Sequence, residues 1–243
     1  MGDTYSINEL LKSAENFQNI RNEDKYARYR SWEHCNNVFN EKHDKLIELR
    51  KKGSDLTDDE YDYLALHLSF YLASWGMYRG SSLLLSTDYK IHVLIVKELM
   101  KEEYDNLWNI TYENLNNEKN NIKLLIDKIK KELYGTRPDD VKKIYKKKTR
   151  PNITDTLATK ILLGTLACIP AYDENFKDTI GKYEIAPKTP NIKSIEALAK
   201  FYEDNEETLN NLLKKFEKED GTRYPQMKLI DMIFFQYGID NIK

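Results

Sequence analysis

Apolar residues recur at helical spacing along most of this chain, most clearly between Asp58 and Tyr78. Leu64, Leu68, Tyr71, Leu72 and Trp75 fall on one face of a 3.6-residue repeat, and Leu66, Phe70, Ala73 and Met77 form a second stripe. Two stripes predict a helix covered nearly all round, central to the fold. Thr57 supplies its N-cap, with Asp58, Asp59 and Glu60 as an acidic first turn. Gly76 and Gly80 bracket its end, at a spacing that permits close helix contact. Asp88 then caps a second apolar helix carrying Ile91, Leu94, Ile95, Leu99 and Met100. From Lys101 to Leu133 the chain turns polar and Asn-rich, yet Trp108, Ile110, Leu115, Ile122, Leu125, Ile126 and Ile129 predict an amphipathic outer helix or helix pair.

Gly135 and Pro138 punctuate the chain and set a lobe boundary, giving an N-terminal helical lobe over 1–135 and a C-terminal one over 136–243, the two parts of one unit. In the second, helices are expected at Thr154–Cys168, Asn175–Tyr183, Ser194–Glu219 and Pro225–Tyr237. Ile185–Ile192, with Pro187 and Pro190, is expected to be a loop.

Composition sharpens the class. Only 9 Gly and 6 Pro serve 243 residues, too few for the turns of a strand-rich fold, so the chain is predicted to be a compact all-α bundle. A 12% aromatic share excludes a disordered chain. With 38 Lys plus Arg against 40 Asp plus Glu, no global field draws the protein to nucleic acid or membrane, and any such affinity has to be local. Cys35 and Cys168 have neither disulfide-framework nor zinc-ligand spacing, which fits a reducing compartment. No stretch reads as a secretory leader or as long enough to span a bilayer, so a soluble, cytoplasmic protein without membrane contact is expected.

One local exception to the charge balance is the run Lys142, Lys143, Lys146, Lys147, Lys148 and Arg150. It reads as a phosphate-binding surface for nucleic acid, or as a solvated helix face with Ile144 and Tyr145 turned inward. Arg28 to His34 mixes cations, aromatics and an imidazole, suited to a phosphate and a stacked base, or to an amphipathic helix with Trp32 and Val38 in the core. Ser74 to Ser82 concentrates Trp75, Tyr78 and Arg79 at a helix end, where Arg79 faces a cleft or caps C-terminal carbonyls.

After the basic run comes Asn152 to Ala158, an apolar helix through Leu166, and then Ile169-Pro170-Ala171-Tyr172-Asp173-Glu174-Asn175-Phe176. This order of helix, proline turn, aspartate and next helix resembles the helix-hairpin-helix DNA glycosylase superfamily over residues 149 to 183. The family's Pro-x-x-Asp turn carries its catalytic carboxylate. The resemblance implies Asp173 in that role and DNA as partner, for hydrolysis of the N-glycosidic bond of a damaged or modified base. Bifunctional members place a lysine nucleophile where Asp155 stands here, so a monofunctional enzyme is implied. The hairpin's place is taken by Thr149-Arg150-Pro151-Asn152-Ile153, without the family's glycines.

Candidate substrate-binding residues are then Trp75, Tyr78, Arg79, Tyr172 and Asn175, beside a catalytic Asp173. Asp173 reads equally well as a plain N-cap for the following helix. Neither phosphate-loop nor dinucleotide fingerprint nor paired histidines occur, and no cofactor or metal is expected. The competing class is a non-catalytic helical protein that binds a protein partner through the basic run and the segment from Trp75 to Arg79.

Overall fold

A computed structural model describes residues 6–80, 82–133 and 153–242. Among these no strand forms, and a single bridge joins Glu217 to Arg223. The helices in chain order are α1 (Ile7–Glu23), α2 (Arg30–Arg50), α3 (Asp58–Ser74), α4 (Val93–Leu99) and α5 (Tyr112–Lys128), followed by α6 (Asp155–Gly164), α7 (Glu174–Lys182), α8 (Ile192–Asp204), α9 (Glu206–Leu213) and α10 (Gln226–Asn241). Short 3-10 turns at Leu83–Ser86, Tyr89–His92 and Glu102–Leu107 link α3, α4 and α5. The all-α class is as the sequence predicts.

The central helix is α10 and not α3. Every residue of α10 from Met227 to Gly238 is buried, and α1 and α7 pack along it. Gly238 permits the α7 crossing, because a Cβ there would lie 2.5 Å from the Asn175 carbonyl oxygen. α3 buries only its first stripe, against α2, α4 and α6. Among the described residues its second stripe has no such cover, and Leu66 and Phe70 are 48% and 60% exposed, beside Tyr63 at 46%.

Local chemistry sets the helix limits. Thr57 and Glu60 form a reciprocal capping box at the start of α3. The helix stops at Ser74 because Gly76 takes a φ of +73°, which lets the Met77 N–H donate to the Leu72 carbonyl at 2.9 Å. Gly80 is also left-handed, with open space where a Cβ would be, so this pair shapes a turn and not a helix contact. α6 ends at Gly164, short of the expected Cys168. The carbonyls freed there are taken by α2, with Trp32 Nε1 donating to Leu163 at 2.8 Å and Asn36 Nδ2 to Thr165 at 2.9 Å. The single helix expected over Ser194–Glu219 is two, divided at Asn205, whose side-chain amide donates to the Phe201 carbonyl.

One contiguous apolar core includes residues from α1 through α10, on both sides of segment 134–152. A buried polar node crosses it near α2. Arg21 grips Glu33 through two bonds of 2.8 and 2.7 Å, while the Tyr224 hydroxyl and the Glu219 N–H also donate to Glu33. Four donors on a 2% exposed carboxylate tie the α1 to α2 turn to the segment before α10.

Candidate functional site

Three segments far apart in sequence meet where α6 turns back toward α7. α6 carries Lys160, the one charged residue in the buried run Leu157 to Leu166, and the returning chain delivers Asp173 as the N-cap of α7. One oxygen of Asp173 accepts the Phe176 N–H at 3.2 Å and the other accepts Lys160 Nζ at 2.9 Å. Beneath them α10 presents Lys228 and Asp231, one turn apart and paired at 2.8 Å; Asp231 also accepts the Ala171 N–H at 3.0 Å. Tyr71 from α3 and Trp75, the residue just after its end, complete the wall.

The groups enclose a cavity of about 10 Å³, lined by Tyr71, Trp75, Lys160, Asp173, Lys228 and Asp231 with Leu163, Ala171 and Phe235. That volume holds a single water, and the polar lining suits one. Trp75 is the hub of the wall. Lys160 Nζ lies 4.9 Å from its ring centre and Lys228 Nζ 5.8 Å, while the Arg28 guanidinium stands 4.9 Å above it. Among the described residues the buried Trp75 Nε1 has no hydrogen-bond partner. Burial lowers the Lys228 ammonium from its ordinary range, partly offset by Asp231. The Tyr71 hydroxyl is pushed well above the usual phenol range by burial and by the nearby Asp231, Cys35 and Asp173, so it stays a donor at neutral pH.

Comparison with known protein families, with curated proteins and with solved structures finds no match. The site is therefore read from its own geometry.

Of the candidates named from sequence, the structure brings Asp173, Trp75 and Arg28 to one place. Tyr78 lies elsewhere, its hydroxyl 2.6 Å from Ser69 Oγ and 2.8 Å from His92 Nε2. Arg79 is exposed and folds back over Gly76. Tyr172 is fully buried with its hydroxyl 2.7 Å from Ser194 Oγ, and Asn175 packs its backbone against Gly238; neither lines the cavity. Arg30 pairs with Glu219, and Trp32 is core. Lys142, Lys143, Lys146, Lys147, Lys148 and Arg150 lie outside the described residues. Lys160, Lys228 and Asp231 were missed. Their signal was there, since each interrupts an apolar helical run, and a charge in such a run needs a buried partner.

A larger open cleft of about 600 Å³ lies between the end of α2, the start of α3 and the end of α4. Its main charges are already satisfied, Arg50 by Asp105 at 2.7 Å, Lys97 by Asp58 at 2.7 Å and Asp55 by the Tyr61 hydroxyl at 2.8 Å. Cys35 and Cys168 are free and buried, and burial raises both thiols, Cys168 to about 12, which leaves them inert as nucleophiles. Among the described residues no group of His, Cys, Asp and Glu is placed to hold a metal, and no helix is long and apolar enough to cross a membrane.

Proposed function

We propose that the protein is a DNA-binding hydrolase that cleaves the N-glycosidic bond of a damaged or modified base, with Asp173 as its catalytic carboxylate. The observation that carries this reading is the fixed placement of Asp173, held by the α7 N-terminus on one oxygen and by Lys160 on the other, at the edge of a water-sized cavity walled by Trp75. A carboxylate so held stabilises positive charge developing on a sugar and orients a water for attack on it. The cavity admits water and no nucleobase, so the base is received outside it. On this reading the cations from Lys142 to Arg150 hold DNA phosphates. The test is a panel of oligonucleotides bearing different modified bases, assayed for free base. Release from at least one is expected, and none from any would overturn the reading.

One observation favours a second reading, a helical interaction protein. Tyr63, Leu66 and Phe70 leave an apolar stripe of α3 open, whereas Trp75, 9% exposed, offers little contact area. That reading expects no base release from any substrate.

A further inference from the structure

Among the described residues, three cations gather on Trp75, Arg28, Lys160 and Lys228, against the two carboxylates Asp173 and Asp231. Lys160 is matched by Asp173 and Lys228 by Asp231, each at hydrogen-bonding distance, so each pair balances. Arg28 is different. It is exposed, its guanidinium stands 4.9 Å above the Trp75 ring, and among the described residues no carboxylate forms an ion pair with it. The same indole holds a second unmet demand, a buried Nε1–H without an acceptor among the described residues. A cation lacking its anion and a donor lacking its acceptor thus meet on one side chain, beside the carboxylate assigned to chemistry.

We propose that Arg28 and Trp75 form an anion subsite that takes one phosphodiester of a nucleic-acid strand next to Asp173. This deepens the reading above and rests on it for the role of Asp173. The phosphodiester is preferred to a free phosphate or a phosphomonoester because it carries a single negative charge, the charge left unbalanced, whereas the others carry nearer two at neutral pH. The planar guanidinium donates to a phosphate through two parallel N–H groups while its face stays on the indole. Trp75 Nε1, itself buried, reaches a phosphate oxygen through the one water the cavity holds. The subsite sets the register of the strand without reading its sequence.

Tryptophan fluorescence with thymidylyl-thymidine, a dinucleotide with one phosphodiester, tests this, with Trp75→Phe identifying the responding ring. A saturable change is expected, with affinity falling about tenfold in Arg28→Gln and melting lowered only slightly, because Arg28 is exposed and loses only its contacts with the Trp75 ring and the Tyr29 hydroxyl. Asp173→Asn leaves Lys160 unmatched and is expected to bind the dinucleotide more tightly even though base release is lost. Inorganic phosphate is expected to bind more weakly than the dinucleotide. No saturable change, equal affinity in Arg28→Gln, or stronger binding of inorganic phosphate would each overturn the subsite. Saturable, Arg28-dependent binding by a protein that releases no base would sustain the subsite and refute the hydrolase reading alone.

Discussion

Lys160 Nζ sits 2.9 Å from Asp173 Oδ2, bridging α6 to the first turn of α7. The pair places a lysine whose side chain is 5% exposed against a carboxylate at 14%. Asp173 therefore has two duties, capping its helix and matching a buried cation, and only its charge serves the second. Lys160→Met removes the partner yet leaves the cap, so a loss of about 2 kcal/mol is expected by urea unfolding. Combined with Asp173→Asn, the loss should fall short of the sum of the two single losses, because each single variant already breaks the same pair. Additive losses would contradict the coupling.

The second pair is buried more deeply, Lys228 at 1% and Asp231 at 7% side-chain exposure. Lys228→Met leaves Asp231 charged and without its partner, for an expected loss of about 3 to 5 kcal/mol. Lys228→Met with Asp231→Asn keeps an acceptor for the Ala171 N–H and removes the lone charge, so it should be more stable than Lys228→Met alone. The reverse order in chemical denaturation would show that the pair is not the source of the cost.

Burial lowers the His92 imidazole to about 3, against an ordinary 6.5. Between those values the unfolded chain binds a proton that the folded protein refuses, so stability falls as pH drops from 6.5 toward 3. This group contributes up to about 1.4 kcal/mol per pH unit in that window. Urea midpoints at pH 7.5 and 5.5 should differ less in His92→Gln than in the wild type. An equal difference in both would remove His92 from the account.

Gly238→Ala should destabilise the protein despite the better helix propensity of alanine. The new methyl meets backbone of α7 at 2.5 Å, where no side chain can move aside. A loss of about 1 to 3 kcal/mol is expected from forcing two packed helices apart, against a propensity gain of about 1. Melting unchanged or raised would show that the α7 to α10 contact is looser than the structure has it.

Much of the fold was legible in the chain, and the misses have local causes. Capping chemistry placed two starts, as Thr57 accepts an N–H at the start of α3 and Asp88 one at the 3-10 turn that leads into α4. Helix ends were read too long because they depend on partners elsewhere, as α6 stops where Trp32 and Asn36 take its carbonyls. The central helix was misplaced because α3 and α10 are both apolar all round, and periodicity does not tell which one neighbours will cover. Asp173 and Trp75 were singled out by local pattern. Their partners Lys160, Lys228 and Asp231 come from contacts that only folding makes.

Base release by wild type and by Asp173→Asn, on the same modified-base panel and with melting recorded for both, tests the central claim most directly. Asparagine still accepts the Phe176 N–H but cannot stabilise a sugar cation or act as a base. Release from a substrate by the wild type, reduced at least a hundredfold in Asp173→Asn with most of the melting temperature retained, is the predicted result. Undiminished release by Asp173→Asn would contradict the account.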